Sequence, residues 1–281
     1  MTVHEPNLGN RVRVCNRALA GKVGQEVRLD LSRGGAVRSA IVKPMPFEGA
    51  IGSAYNDRVI ETRAAVDRLS GGKIGYVSLA AMGGADVAEF ARDFYGQSGR
   101  EAMIIDVRDN NGGNVDSIII GALLRRAWAF WAAPGGRAFA NMQGAYRGPI
   151  AVLIDEQTYS DGETFAAGVK SLGLGPLIGQ RTAGAGIWLS GRNPLTDKGM
   201  ARIAEFAQYR ADGEWLIEGW GVEPDIEVDN LPHATFQGQD AQLQAAVDFL
   251  TNKLATEPVP PLVPRALPAL GTPGKSAIRL R

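Results

Sequence analysis

The sequence predicts an α/β fold with largely parallel strands, and three observations predict it. Apolar runs of buried-strand length recur in "KIGYVSLA", "EAMIIDVR" and "IAVLID". Each is followed by a stretch whose apolar residues recur at helical spacing. The alternation then continues through "PLIGQ" to a closing amphipathic segment, Asp240 to Leu254, a pattern that calls for βα units rather than hairpins.

The elements follow in chain order. Residues 1–45 read as short strands, "QEVRLDLSR" and "VRSAIVKPM", alternating apolar and polar about the turn Gly34-Gly35; one hairpin is too little to fold alone. From Ser53 to Leu69 a helix places Tyr55, Val59, Ile60, Ala64, Val66 and Leu69 on one face, and "SGG" ends it. The first two α/β strands are each followed by a helical stretch, Val87 to Tyr95 and Val115 to Ala132. "IAVLID" (Ile150 to Asp155) leads into the helix that opens at Ser160. A strand-rich section covers Ala201 to Val228. Beyond Glu257 the chain carries too many prolines for a helix or a central strand, and residues 257–281 are expected to be an extended, mostly disordered tail.

At 281 residues the chain is long enough to bury a sizeable core. Thirty basic and thirty acidic residues cancel, which leaves no electrostatic footprint for nucleic acid or an anionic membrane. The single Cys15 excludes an internal disulfide. The longest apolar helical stretch is interrupted by Arg125 and Arg126, which a membrane span hardly tolerates at its middle. The N-terminal segment has no apolar signal-peptide core, so a soluble, cytoplasmic protein is expected. There is no His-Glu-x-x-His and no cysteine pair, and His4 and His233 lie far apart in sequence, so no metal is expected. No glycine-rich segment carries the Gly-Lys-Ser/Thr of a phosphate loop or opens a dinucleotide-binding helix. No cofactor is expected.

Two turns could carry chemistry. In "TYSDGETF", Ser160 stands where a strand turns into a helix. With Glu163 three residues on, it reads as a capping box. A helix N-terminus also offers free N–H groups and positive potential to a developing oxyanion, so capping and nucleophilic readings are compatible. In "DNNGGNVDS", Asn110-Asn111-Gly112-Gly113 follows a strand and precedes a helix. Such a turn can aim a backbone N–H at a substrate oxygen, or it can be a tight βα connection and no more.

Taken together, "GKIGYVSLAAMG", "MIIDVRDNNGGNV", "PIAVLIDEQTYSDGETFAAGVKSLGLGPLIGQRTAGAGIW" and "IEGWGVEPDIEVDN" resemble consecutive blocks of the tail-specific (C-terminal processing) serine protease family, in its tricorn branch. The likeness runs from residue 53 to 256 in order. Residues 10–45 are similar to the last strands of a PDZ domain whose first half is missing. The resemblance therefore implies four segments: a PDZ remnant in 1–45, a connecting helix in 46–72, a catalytic core in 73–256 and the tail in 257–281. It implies a core of stacked ββα units like that of the crotonase and Clp peptidase folds, and peptide hydrolysis through a serine acyl-enzyme. Ser160 matches the nucleophile, the N–H groups of Gly113 and Asp161 match the oxyanion hole, and Glu218 matches a carboxylate that helps orient the catalytic histidine. A peptide substrate and a homo-oligomeric full-length protein are implied as well.

Two departures accompany the match. The larger branch of the family activates its serine with a lysine in a segment that here reads "GQRTAGAGIW" and has none. Lys170, ten residues into the helix, would stand about 15 Å from Ser160 along the axis. The tricorn arrangement takes its base from a histidine before the PDZ domain, so the catalytic histidine is expected upstream of this chain. The acid that receives a basic substrate side chain in the tricorn branch aligns near Ala132, where no carboxylate stands. Two other functions fit parts of the pattern: a non-catalytic peptide-binding or assembly module that keeps the fold, and an acyl-CoA enzyme of the crotonase type.

Overall fold

A computed structural model describes residues 2–3, 19–33, 35–132, 136, 138–189 and 191–266. The chain divides into a unit of residues 1–62 and a larger unit of residues 63–281. In the smaller unit, β2 (Val27–Arg33) and β3 (Ala36–Val42) form the expected antiparallel hairpin, registered from Val27 opposite Val42 to Arg33 opposite Ala36. β1 (Thr2–Val3) lies parallel to β2. Ile41 is 72% exposed on the hairpin, as expected of two strands with too little apolar surface to make a core. Helix α1 (Phe47–Ser70) starts six residues before the expected Ser53. Its first turn closes on the Pro46 carbonyl at 3.1 Å, and Pro44 and Pro46 are poor candidates to continue it further back. The boundary between the two units falls inside this helix.

The larger unit is built on β4 (Ile74–Ser78), β5 (Ala102–Asp106), β8 (Ile150–Ile154), β9 (Leu177–Gly179) and β12 (Ile226–Glu227). They form one sheet in the order β12-β9-β8-β5-β4, and every neighbouring pair is parallel. All residues of β4, β5, β8 and β9 are buried, which is why these strands read as continuous apolar runs instead of alternating ones. Helices α2 (Gly84–Gly96), α3 (Asp116–Leu123) and α4 (Asp161–Ser171) share one core with the strands: Phe90, Phe94, Ile119 and Phe165 pack with Met103, Ile105, Val152 and Ile154. The alternate strand residues face the other way. There α6 (Ala241–Thr256), which follows the five-residue α5 (Pro232–Phe236), buries Leu243, Ala246, Val247 and Leu250.

The helix expected over Val115 to Ala132 is cut short. It ends at Leu123, where Arg126 Nη1 donates to the Leu123 carbonyl at 2.8 Å and Arg125 Nη1 to the Gln143 carbonyl at 3.1 Å. The two guanidinium groups thus satisfy carbonyls at and beyond a helix end, a task charged side chains do well. The chain then makes a small exposed hairpin of β6 (Phe130–Trp131) and β7 (Phe139–Ala140). In the section expected to be rich in strands, β10 (Trp188–Leu189) pairs antiparallel with β11 (Ala204–Phe206). Residues 257–266 form no regular element, and the rest of the expected tail lies outside the described residues, as do His4 and Cys15. No described helix is long and apolar enough to cross a membrane.

Candidate active site

The loops that leave the C-terminal ends of the parallel strands meet at one edge of the sheet, the usual location of sites in such folds. The Leu79 N–H donates to the Asp106 carbonyl at 2.9 Å, Tyr159 N–H to the Asn110 carbonyl at 2.9 Å, and Ala183 N–H to the Thr158 carbonyl at 3.1 Å. Each of these bonds ties one loop to the next. Asn110, fully buried, sets the glycine turn: its Nδ2 donates to the Leu79 carbonyl at 2.7 Å and its Oδ1 accepts from Gly112 N–H at 2.8 Å.

Gly112 and Gly113 are required by close approach. Gly112 has φ +78, and a Cβ on it would lie 2.5 Å from the Ser160 Cβ, so the turn packs directly on the serine. A Cβ on Gly113 would overlap the Met82 carbonyl, because the two residues pair as an isolated parallel bridge. That bridge uses Gly112 O and Asn114 N–H, at 2.8 Å each. Gly113 is exposed, and its own N–H has no acceptor among the described residues.

Ser160 stands at the N-terminus of α4 with φ 55 and ψ −117, a conformation that side chains other than glycine's rarely adopt and that is found where a site over-determines the backbone. The capping-box expectation is half met. Glu163 Oε1 accepts from Ser160 N–H at 3.2 Å, but the Ser160 hydroxyl makes no capping hydrogen bond. Positive φ turns the side chain away from the first-turn N–H groups, and the Ser160 backbone carbonyl accepts from Glu163 N–H at 2.9 Å instead. The half-buried hydroxyl is left uncommitted. The Asp161 N–H beside it has no acceptor among the described residues either.

Glu163 does far more than complete a cap. It is fully buried. Its carboxylate accepts from Thr182 Oγ1 at 2.5 Å, Gly184 N–H at 2.7 Å and Ala185 N–H at 2.8 Å, in addition to Ser160 N–H. Thr182 Oγ1 in turn accepts from Val222 N–H at 2.8 Å. A few residues on, Glu218 Oε2 accepts from Gly186 and Ile187 N–H at 2.9 Å each. Ile217 before it has φ 70, an outlier for a β-branched residue. An unbroken hydrogen-bonded frame thus runs from Ser160 through Glu163 and the 182–187 loop to Glu218. Glu218 itself is exposed.

Of the residues singled out in the sequence, Ser160, Asp161 and Gly113 are brought together. Glu218 is reached only through the frame, and His233 is not brought in: it is exposed on α5 with its Nε2 3.1 Å from Gln237. Lys170 is engaged elsewhere, paired with Asp225 at 3.0 Å and donating to the Glu223 carbonyl at 2.7 Å. Sequence reading missed Asn110, Thr182 and the wider role of Glu163. Asn110, placed two residues before Gly112, carried a usable signal, since asparagine commonly bonds the backbone N–H two residues on.

The family model described as peptidase family S41 matches residues 73–228. The chain is 34% identical to tricorn protease homolog 1 of Streptomyces coelicolor, over 89% of this chain and 23% of that protein. It is 33% identical to the tricorn protease of Thermoplasma acidophilum, over 85% of this chain and 22% of that protein. A crystal structure of the tricorn protease superposes with a TM-score of 0.77 and 33% identity, over 85% of this chain and 23% of that one. The chain therefore spans about a quarter of the length of these relatives. The match covers the sheet, the glycine turn, Ser160 and Glu218 in a single stretch, and the chain belongs to peptidase family S41.

Proposed function

We propose that this chain carries the nucleophile and oxyanion hole of a tricorn-like serine peptidase that cleaves peptides through a Ser160 acyl-enzyme. The observation that carries the proposal is the Ser160 turn: positive φ, an uncommitted hydroxyl and the two unclaimed N–H groups of Gly113 and Asp161. Ser160 Oγ attacks the peptide carbonyl carbon while its proton passes to a general base. The carbonyl oxygen, now negative, accepts from the Gly113 and Asp161 N–H groups. The base then protonates the leaving amine, the C–N bond breaks, and water attacks the resulting ester by the same route.

A serine hydroxyl is a weak nucleophile until a base takes its proton. Neither His233 nor Lys170 is placed to do so, and we assign the base to a histidine outside the described residues. Glu218 Oε1 remains open to orient that histidine, since Oε2 is held by Gly186 and Ile187. The PDZ origin of residues 1–45, self-assembly and a cytoplasmic site of action belong to the same proposal, which rests for them on the resemblance alone.

The test is the rate at which a serine-directed fluorophosphonate labels the 281-residue chain, with mass spectrometry locating the label. Slow labelling at Ser160, absent in Ser160→Ala and slowed about a hundredfold in Gly113→Ala, is expected. Rapid stoichiometric labelling that is lost on changing His4 or His233 would show the base to lie within this chain. Label at another residue would refute the nucleophile.

A further inference from the structure

Asp161 enters the proposed reaction through its backbone N–H, but its side chain is as unusual as its position. The residue is fully buried. Oδ2 accepts from Val115 N–H at 2.7 Å and Asp116 N–H at 3.1 Å, so a side chain next to Ser160 holds the start of α3, two residues beyond Gly113. Oδ1 is buried with no donor among the described residues. Asp116, whose N–H is one of the two donors, brings a second acid beside it. A buried carboxyl beside a second acid is easier to protonate than one in water. Burial, together with the Asp116 charge, pushes the Asp161 carboxyl up to about 6. No cation offsets the pair from the nearby cavity wall: Arg210, which lines the same 530 Å³ cavity as Asp116, is paired with Asp212 at 2.7 Å.

We propose that the Asp161 carboxyl is a positioning residue of the oxyanion hole, clamping the start of α3 and with it the Gly113 turn to the helix that carries Ser160, with the Asp116 carboxyl beside it across the joint. The clamp makes the two N–H donors one rigid unit, although they lie in turns far apart in sequence. This rests on the reading of Ser160 as nucleophile, but the clamp can be observed without it.

The test uses the full chain and two readouts: hydrogen exchange at the Val115 and Asp116 amides, and fluorophosphonate labelling of Ser160 between pH 5 and 8. Asp161→Ala should speed exchange at both amides tenfold or more and slow labelling at every pH. Asp161→Asn retains an acceptor for both N–H groups and supplies an N–H to Asp116, so it should restore exchange protection and recover at least tenfold of the labelling lost in Asp161→Ala. Carboxyl ¹³C titration should place Asp161 near pH 6 in the wild type and lower in Asp116→Asn. Wild-type exchange in Asp161→Ala, an Asp161→Asn variant as impaired as Asp161→Ala, or an Asp161 midpoint unmoved by Asp116→Asn would each overturn the proposal. Should Asp161→Ala fail to fold, the Asp116→Asn titration and Asp161→Asn exchange decide alone. A chain that never labels at Ser160 would sink the peptidase reading and leave the exchange and titration results to judge the clamp.

Discussion

Asp106 and Asp240 meet a guanidinium, whereas Asp161 and Glu163, at the same edge of the same sheet, accept from N–H and O–H groups and meet no guanidinium among the described residues. Arg108 lies 2.7 Å from Asp106 and 3.0 Å from Asp240, and Tyr76 OH donates to Asp106 at 2.7 Å. One acid from each group, Asp240 and Asp161, titrates in the opposite direction to the other. Burial alone would raise Asp240, but the charge and hydrogen bond of Arg108 hold it below the ordinary carboxylate range. Asp161, facing another acid, is pushed up. The first set locks α6 onto β5, since Asp240 also accepts from Leu243 N–H at 2.9 Å as the cap of α6. The second fixes where N–H groups point. Compensated charge serves the fold here, and dipole-satisfied charge serves the site.

The comparison can be broken most sharply at Arg108. Arg108→Met strands two carboxylates, one of them nearly inaccessible, and should cost about 3–5 kcal/mol of stability in urea unfolding; a cost under about 1 kcal/mol would show that the pairing is not structural. Glu163→Gln should cost less, about 1–3 kcal/mol, because the amide nitrogen replaces an oxygen that accepts from two of the four donors, three N–H and one O–H, that crowd the carboxylate. Near-neutral stability would mean that water or rearrangement replaces the frame.

Asp161 gives a difference in pH dependence. Its native value lies above that of an unfolded aspartate, about 4, so the folded chain holds a proton that the unfolded chain has released. The resulting stabilisation is complete below about pH 4 and is lost as pH rises through about 6. Denaturation midpoints of the wild type should fall between pH 5 and 8 by more than those of Asp161→Asn; equal falls would contradict the assignment. The smallest effect is at Ser160. Ser160→Gly relieves a positive-φ serine that makes no capping bond, and should gain about 1 kcal/mol in urea unfolding while abolishing labelling. A loss of stability would restore the capping role.

The parallel core was legible because strands buried on both faces leave continuous apolar runs, and "MIIDV" and "IAVLI" could hardly be anything else. The length of α3 was not, since the end at Leu123 depends on where the Arg125 and Arg126 guanidinium groups find carbonyls, and Gln143 is distant in sequence. At the site, the turns that hold Ser160 and Gly113 were readable from turn chemistry, while the roles proposed for them and for Asp161 came from the resemblance. The work of Glu163 was hidden behind its correct reading as a capping partner: its other donors, Thr182, Gly184 and Ala185, come from a loop that only the fold brings near. The Ser160 cap failed for a related reason, because packing of Gly112 against the serine accompanies a backbone angle that local propensity does not foresee.

The central claim, that one set of buried acids serves stability and the other serves geometry at Ser160, is tested most directly by measuring unfolding free energy and Ser160 labelling rate on the same samples of Arg108→Met and Glu163→Gln. With labelling normalised to the folded fraction, Arg108→Met should lose more stability yet label at the wild-type rate, and Glu163→Gln should lose less stability yet label at least tenfold more slowly. Labelling that falls in both variants only in proportion to the unfolded fraction would contradict the account.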